Sequence, residues 1–294
     1  MDARIPFTID ERQGVLAGPV RRPENFSRTA VGSIHDDDAA QKLGFRGGTV
    51  AGNIHFEQFP PLMEVLFGEG WRRSGGLSLY FQTPTTDGEP VQAFARRRGA
   101  THAEVWMKDA AGQIVCEGSA SAEGPDPDSA LQRRLAALRP AQDLRIVRGS
   151  KVRDAVRNVP SRLHVSATGP RLAGITEPMD MYSIADAQGR LVAAPAVAID
   201  ALRAVEEPLF RLGGAFVGMF GAIELQFLNG PIFVEQDYLA DGRVLGLSES
   251  PKTEVVWYES TLKDASDGRE VARLIMMSRL LKASSPLWAE AAVP

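Results

Sequence analysis

Cysteine is nearly absent from this sequence, since Cys116 is the single thiol among 294 residues. One thiol cannot form an intramolecular disulfide, and it cannot build a metal site from several cysteines. Histidine is also scarce, with four residues in the whole chain. No combination of these side chains has the spacing of metal ligands, so we expect neither a metal nor another cofactor.

Long apolar runs and an excess of positive charge are missing as well. No stretch approaches the roughly 20 apolar residues that a membrane span requires, and residues 1–14 (MDARIPFTIDERQG) lack the apolar core of a signal peptide. The net charge of −4 gives no reason to expect nucleic acid as a partner. We therefore expect a cytoplasmic protein that binds neither nucleic acid nor a membrane.

A short motif occurs twice, once in each half of the chain. Residues 33–36 read SIHD and residues 183–186 read SIAD, so Ala185 matches His35. Later positions also match, namely Leu77, Leu79 and Phe81 with Ile223, Leu225 and Phe227. The offset falls from 150 to 146, which predicts a second copy shortened by four residues between positions 36 and 48. Two fused copies of one small domain explain this pattern, and chance similarity is the alternative.

The predicted elements follow the same order in both halves. Residues 54–66 form a helical segment with apolar residues on more than one face, interrupted at Pro60 and Pro61, and strand-like segments follow up to residue 122. The second half repeats this order with a helix at residues 196–210. We predict an N-terminal domain (1–123), a linker with a connecting helix (124–150) and a C-terminal domain (151–294). The fold class is α+β, with two tandem antiparallel sheets that each wrap a helix.

The first half carries a family resemblance in residues 34–48 (IHDDDAAQKLGFRGG) and in the Val-Ala-Gly of residues 50–52. These segments resemble the MaoC-like dehydratases and (R)-specific enoyl-CoA hydratases. The resemblance implies a double hotdog fold, in which the two halves form a pseudo-dimer with one site in the first half. In that family a catalytic histidine ends a loop, and a glycine at the start of the helix presents its amide to a thioester carbonyl.

The chain departs from the family at one important position. The usual motif reads Asp-x-Asn-Pro-x-His, whereas residues 30–35 read AVGSIH. Ala30 therefore stands where the family has the aspartate that shares water activation and proton transfer with the histidine.

Hydration of an enoyl thioester needs a base, an acid and donors for the enolate oxygen. The resemblance assigns proton transfer to His35 and the donors to the amides of Gly52 and Asn53. His55 lies at the same helix start and is a further candidate for substrate binding. Glu57 is the nearest replacement for the missing carboxylate, and an ordinary solvated glutamate is the alternative. At the offset of 146, the residue that aligns with Gly52 is an alanine, so the second copy lacks both histidine and glycine.

Arg96 and Arg97 form a basic run at the end of a predicted strand. Guanidinium groups bind phosphates well, so these residues are candidates for contact with the phosphates of coenzyme A. A run of charge that keeps a strand end soluble is the alternative.

The sequence thus favours a hydro-lyase that hydrates an enoyl-CoA or dehydrates a 3-hydroxyacyl-CoA. Two other interpretations stay open. One is an acyl-CoA thioesterase that activates water with Glu57 or His35, and the other is a non-catalytic subunit that binds acyl thioesters or only supports a partner. An internal pseudo-dimer gives one site per chain, and pairing of two chains as a homodimer stays open.

Overall fold

One antiparallel sheet of eleven strands dominates the computed structural model, which describes residues 8–10 and 14–289. In chain order the strands are β1 (Thr8–Asp10), β2 (Val15–Arg21), β3 (Gly76–Phe81), β4 (Val91–Arg98), β5 (His102–Asp109), β6 (Ile114–Ser121), β7 (Ala155–Arg162), β8 (Gly218–Phe227), β9 (Asp237–Glu249), β10 (Thr253–Asp264) and β11 (Glu270–Leu281). Their spatial order is β1-β2-β4-β5-β6-β3-β8-β11-β10-β9-β7. The first half of the chain therefore supplies one side of the sheet and the second half the other.

Alternating side chains explain how these segments form a sheet. In β4, Val91, Ala93 and Ala95 are buried while the residues between them are partly exposed. This period of two places one face of each strand on the core. Tight turns join neighbouring strands, and Gly112 adopts the positive φ of 80° that the turn between β5 and β6 requires.

The helices of the described chain are short. They are α1 (Asp37–Lys42), α2 (Gly52–Phe56), α3 (Pro60–Phe67), α4 (Trp71–Ser74), α5 (Ala130–Ala136), α6 (Val165–Ala173), α7 (Pro195–Leu202), α8 (Glu206–Leu209) and α9 (Pro286–Ala289). None of them is long and apolar enough to cross a membrane. The interruption predicted at Pro60 is confirmed, because Pro60 begins α3 at a position where a missing N–H costs nothing. Helix α2 contacts both α7 and β8, so the helical segments of the two halves meet.

A pseudo-two-fold axis relates the halves and passes between β3 and β8. Residues 76–80 of β3 pair with residues 222–226 of β8, and Ser78 stands opposite Glu224 in the middle. At the predicted offset of 146, each of these segments is the copy of the other. The offset of 146 therefore agrees with the pairing of β3 and β8 in the sheet, and the axis passes through the Ser78–Glu224 pair.

The structure corrects the alignment around His35. An isolated bridge joins Thr49 to Thr86 in the first half, and Val192 forms the same bridge in the second. The Thr49 amide donates to the Ile34 carbonyl at 2.8 Å, and the Val192 amide donates to the Met181 carbonyl at 3.1 Å. The intervening loop is thus four residues shorter in the second half, as predicted. The residue equivalent to His35 is Tyr182, however, and the matched SIHD and SIAD segments lie three residues out of register.

The starts of helices α2 and α7 show which residue of the second half replaces Gly52. Helix α2 begins after Ala51 (φ −68°, ψ 142°), and α7 begins after Ala194 (φ −61°, ψ 150°), so Pro195 is the equivalent of Gly52. Proline has no N–H to offer a ligand. Counting along the two helices makes Asp200 the equivalent of Glu57.

The segment between the halves crosses the opposite face of the sheet. Ser129 caps the N-terminus of helix α5, and its side chain accepts a hydrogen bond from the Gln132 amide at 3.1 Å. Leu131 is fully buried in this helix and packs against a cluster formed by Ala222, Val255, Trp257, Ile275 and Met277. The predicted connecting helix is therefore present, while the predicted domain boundaries stay predictions.

A buried carboxylate fixes the end of this connecting segment. Glu254 is fully buried and accepts hydrogen bonds from the amides of Arg145, Ile146 and Val147 at 2.8–2.9 Å and from the Trp288 indole at 2.7 Å. Four donors to one carboxylate compensate for the cost of burying its charge. Glu254 thus holds residues 144–147 against β10 and β11.

We expect Glu254→Gln to lower the free energy of unfolding by about 3 kcal/mol, because an amide leaves some of these buried donors unpaired. Urea unfolding followed by circular dichroism measures this change. The exposed Glu270→Gln is the control and should change it by less than about 0.5 kcal/mol. Equal stability of the two variants would contradict a structural role for Glu254.

Candidate active site

A cavity of about 780 Å³ lies between the sheet and the helices, and both halves of the chain line it. The first half contributes the loop before α1, the start of α2 and the end of β3. The second half contributes α7, α8, the segment 211–217 and the adjacent ends of β8, β10 and β11. The sheet side is largely apolar, with Phe81, Phe220, Val256 and Leu280, whereas the side formed by α7 and α8 is charged.

His35 lines this cavity with a defined ring orientation. Its Nδ1 lies 2.7 Å from the Thr49 carbonyl oxygen, which can only accept a hydrogen bond. Nδ1 must therefore carry the proton, and the neutral ring leaves Nε2 as a proton acceptor. This arrangement fits a general base whose second nitrogen is fixed by the backbone.

Two neighbours fix the backbone of His35. The side-chain amide of Asn25, which is buried, donates to the His35 carbonyl oxygen at 2.8 Å. Gly48 packs directly on that same carbonyl, and a Cβ at position 48 would collide with it. Glycine is therefore required at position 48 so that the following residue, Thr49, can reach the imidazole.

Two of the three aspartates after His35 accept hydrogen bonds from backbone amides. Asp36 caps α1 by accepting a hydrogen bond from the Asp38 amide at 3.0 Å, and Asp37 accepts one from the Gly48 amide at 2.6 Å. Asp37 thereby helps to hold the loop that carries Thr49. Ala30, where the family has its aspartate, lies in an exposed turn.

Gly52 and Asn53 line the cavity at the first turn of α2. Amides in the first turn have no acceptor within their own helix. A Cβ on Gly52 would lie 2.8 Å from the Phe81 ring, so only glycine fits this close packing. Asn53 is 3% exposed, and within the described chain its Oδ1 has no hydrogen-bond partner. Both residues therefore place polar groups at the cavity.

His55 also lines the cavity but is nearly fully buried. Its Nε2 lies 2.7 Å from the Thr85 hydroxyl oxygen. Burial lowers the pKa of His55 to about 4, against a small opposing influence from Glu89. The ring is therefore neutral near pH 7 and can serve as a hydrogen-bonding group rather than as a cation.

Glu57 does not line the cavity. Its side chain is 2% exposed and lies near α7, where the Ala196 amide favours the charged form of the Glu57 carboxyl group. Burial raises the pKa of Glu57 to about 8, although Arg171 opposes this shift. Glu57 also raises the pKa of the buried Tyr182 hydroxyl, which is shifted mainly by burial. The placement contradicts the prediction that Glu57 supplies the missing carboxylate, because substrate in the cavity cannot reach it.

Asp200 is the carboxylate that the structure places at the cavity instead. Its side chain is 44% exposed, and its oxygens lie 3.3 Å from an Arg203 guanidinium nitrogen and 3.8 Å from one of Arg171. Burial raises the pKa of Asp200, and both arginines oppose this shift. The offset of 146 that fits β3 and β8 would pair Glu57 with Arg203, so the sequence pattern does not indicate Asp200. The structure makes Asp200 the equivalent of Glu57, and this equivalence identifies it.

The place that the pseudo-two-fold axis relates to this cavity is filled by side chains. Trp71 of α4 is 2% exposed, and its ring meets Phe227 edge-on at 5.8 Å between centroids. Phe227 is the copy of Phe81, which faces the cavity in the first half. The second half has the irregular segment 211–217 where the first half has α4. Trp71 thus fills the position beside Phe227, whereas the related position beside Phe81 stays open as the cavity.

Arg96 and Arg97 lie away from the cavity. A guanidinium nitrogen of Arg96 lies 3.9 Å from Glu104, and the group stacks on Trp106 at 5.5 Å. Arg97 donates to the Ala100 carbonyl at 3.0 Å. Neither lines the cavity, so the predicted contact with coenzyme A phosphates is not supported by their positions. In the described chain, no group of His, Cys, Asp or Glu side chains is arranged to hold a metal ion.

No protein-family model and no curated protein matches this chain. Solved structures match it at low sequence identity. A MaoC domain protein dehydratase from Chloroflexus aurantiacus has 13% identity, with 90% of this chain and 93% of that chain covered and a TM-score of 0.56. A conserved protein from Mycobacterium tuberculosis, described as having a double hotdog fold, has 13% identity, 95% and 99% coverage and a TM-score of 0.60.

A further structure, named MaoC-like dehydratase, has 13% identity, 95% and 98% coverage and a TM-score of 0.51. At such low identity these likenesses show the fold. The chain therefore has a double hotdog fold, and its structural neighbours include MaoC-like dehydratases. The predicted fold and resemblance are confirmed at this level.

The pH dependence of stability tests the environment of Glu57. Its folded pKa of about 8 lies above the ordinary 4.5, so folding favours the protonated form. Stability should therefore fall as the pH rises from about 4.5 to 8, by at most about 1.4 kcal/mol per pH unit. Glu57→Gln, which mimics the neutral acid, should flatten this decline and raise the free energy of unfolding at pH 8.

Urea unfolding at a series of pH values measures this effect. Glu69→Gln is a matched control, since the Glu69 side chain is 90% exposed and should leave the slope unchanged. A Glu57→Gln variant with the slope of the wild type would contradict the burial of a neutral carboxyl group at this position.

Proposed function

We propose that this protein is a MaoC-like hydro-lyase that adds water to an α,β-unsaturated acyl thioester, or removes it from the 3-hydroxyacyl thioester. The observation that carries the proposal is the contact of His35 Nδ1 with the Thr49 carbonyl, which leaves Nε2 as the nitrogen able to accept a proton, in a side chain that lines the same cavity as Gly52 and Asn53. A base and a set of oxyanion donors in one partly apolar cavity are what hydration of such a thioester requires.

In the hydration direction, Nε2 of His35 takes a proton from water as the water oxygen bonds to the β-carbon. The electrons of the double bond move to the thioester oxygen, and the amides of Gly52 and Asn53 stabilise this enolate. The neutral His55 ring, which also lines the cavity, is a further hydrogen-bonding group for the polar part of the thioester. The apolar sheet side of the cavity receives the acyl chain.

The cavity also bears on the choice of substrate. A volume of about 780 Å³ exceeds what a short acyl chain fills, and phenylalanines 81, 216 and 220 line it. Long or aromatic acyl groups should therefore react better than a four-carbon group. Both halves of one chain complete the cavity, so the proposed reaction does not require a second chain.

A thioesterase is the second candidate, and the exposed Asp200 carboxylate is the observation that favours it. A carboxylate beside oxyanion donors can activate water against the thioester carbonyl itself. The products separate the two reactions, since hydration consumes the double bond and hydrolysis releases a free thiol.

We expect His35→Ala and His35→Gln to lower kcat for hydration by about 10²–10⁴-fold, the usual contribution of a general base. Crotonyl-CoA, octenoyl-CoA and cinnamoyl-CoA serve as probes, with loss of enoyl absorbance as the readout. The matched control is His102→Gln, because the His102 side chain is 49% exposed and does not line the cavity. Saturated acyl-CoA with a thiol reagent is the parallel assay for hydrolysis.

Three outcomes count against the hydro-lyase. Thiol release from saturated substrates without loss of the enoyl group would identify a thioesterase. Absence of both reactions in the wild type would favour a non-catalytic protein that binds acyl thioesters. Unchanged hydration in the His35 variants would remove His35 from the reaction.

The second half of the chain suggests a sharper test of the oxyanion donors. Gly52→Pro installs the residue found at the equivalent position 195 and removes the amide, whereas Gly52→Ala keeps it. Both variants add a Cβ near Phe81, so alanine corrects for the steric effect. We expect kcat of the proline variant to lie a further 10²–10³-fold, approximately, below that of the alanine variant. Equal kcat values would exclude the Gly52 amide as a donor.

A further inference from the structure

Asp200 is a carboxylate at the cavity to which the proposed hydration step assigns no role. It lies on α7, in the second half of the chain, while His35 lies in the first half. Both side chains line the same cavity, and at position 30 the chain has an alanine in an exposed turn. A carboxylate is thus available at the cavity, although the loop that carries His35 does not supply it.

The pseudo-two-fold axis indicates where Asp200 lies relative to the oxyanion donors. The axis exchanges Asp200 with Glu57, and it exchanges Asn53 with Ala196. The Glu57 carboxyl group lies by the amide of Ala196 in the first turn of α7. Helices α2 and α7 are in contact, and Asp200 lines the same cavity as Gly52 and Asn53. A thioester bound to the Gly52 and Asn53 amides would therefore lie in the cavity that Asp200 also lines.

We propose that Asp200 is the second proton-transfer residue of this site and replaces, from across the pseudo-two-fold axis, the carboxylate that position 30 lacks. This inference rests on the proposed hydro-lyase. The site is then composite, with its base from one half of the chain and its acid from the other.

In the hydration direction, two proton transfers take place in sequence. His35 Nε2 accepts a proton from water while the water oxygen bonds to the β-carbon and the π electrons form the enolate. The O–H bond of the Asp200 carboxyl group then breaks, its proton bonds to the α-carbon, and the enolate electrons restore the thioester carbonyl. Proton transfer through solvent from the imidazolium to the carboxylate resets both residues. In the dehydration direction the Asp200 carboxylate removes the α-proton.

The charges around Asp200 suit this role. Arg203 and Arg171 lie within 4 Å of its oxygens, and Glu206 adds negative charge from α8. Glu57, at the end of α2, is a further titratable neighbour whose raised pKa favours the neutral acid. Arg203 is itself held by two hydrogen bonds to Glu206, at 2.8 and 3.0 Å. Burial raises the pKa of Asp200, which increases the protonated fraction that can protonate an enolate. His35 is the other titratable group invoked at the same cavity.

Asp200→Asn tests this assignment with Glu57→Gln as its matched control. Glu57 is the pseudo-symmetric carboxyl group, buried to a greater extent and outside the cavity. We expect Asp200→Asn to lower kcat for hydration of octenoyl-CoA by about 10²-fold or more with KM changed by less than about threefold, because proton transfer is lost and binding is not. Glu57→Gln should retain kcat within about threefold of the wild type.

Two further readouts separate catalysis from structure. The decline of hydration rate at high pH, where Asp200 loses its proton, should disappear in Asp200→Asn. Asp200→Glu should recover part of the lost activity, and the melting temperatures of all variants report folding. Exchange of the α-proton of a 3-hydroxyacyl-CoA in deuterated water should slow in parallel with hydration.

The outcomes are distinguishable from failure of the proposed function. If wild type hydrates enoyl thioesters but Asp200→Asn does so equally well, or with the same high-pH decline, the role of Asp200 is overturned and the hydro-lyase stands. If Asp200→Asn and Glu57→Gln lose the same activity, the effect is structural and the role is again overturned. If wild type does not hydrate enoyl thioesters, the proposed function fails before any variant is compared, and the inference fails with it.

Discussion

The pairing of β3 with β8 is the constraint on which the rest of the structure depends. It joins the two halves into one sheet, and its register places Ser78 opposite Glu224 on the pseudo-two-fold axis. A slip of one residue would turn the buried leucines of both strands to the other face, so hydrophobic burial fixes this register strongly. The linker is tied to the same pair, since Ser129 donates a hydrogen bond to Glu224 and Ser78 accepts one from the Leu131 amide. The pairing of β3 with β8 therefore sets the relative position of the two halves that line the cavity.

Symmetry of the backbone and asymmetry of the side chains together leave one of two related positions open in the part of the chain that the structure describes. The second half repeats the isolated β-bridge, the alanine in extended conformation before the helix and the start of the helix itself. It has Tyr182 and Pro195, however, where the first half has His35 and Gly52. Packing then decides which of the two positions is open. Trp71 covers Phe227, whereas the irregular segment 211–217 leaves Phe81 facing a cavity.

The two related carboxyl groups show how burial changes the chemistry of one position. Glu57 and Asp200 occupy equivalent places in α2 and α7. Glu57 is closed off and its pKa is raised to about 8, while Asp200 is partly exposed at the cavity between two arginines. Burial without a close cation favours a neutral acid, whereas exposure to a cavity leaves a carboxyl group able to exchange its proton.

The sequence by itself determined the α+β class, the two tandem copies, the offset between β3 and β8 and the choice of His35 and Gly52 as candidates, because these follow from local periodicity and from a short motif. It misplaced the copies around His35 by three residues, because the match of SIHD with SIAD suggests a register that the backbone hydrogen bonds of Thr49 and Val192 do not support. Only the tertiary structure decided that Asp200 faces the cavity and that Glu57, Arg96 and Arg97 do not. The physical reason is that burial and access depend on how distant segments pack across the pseudo-two-fold axis, which no local pattern of residues records.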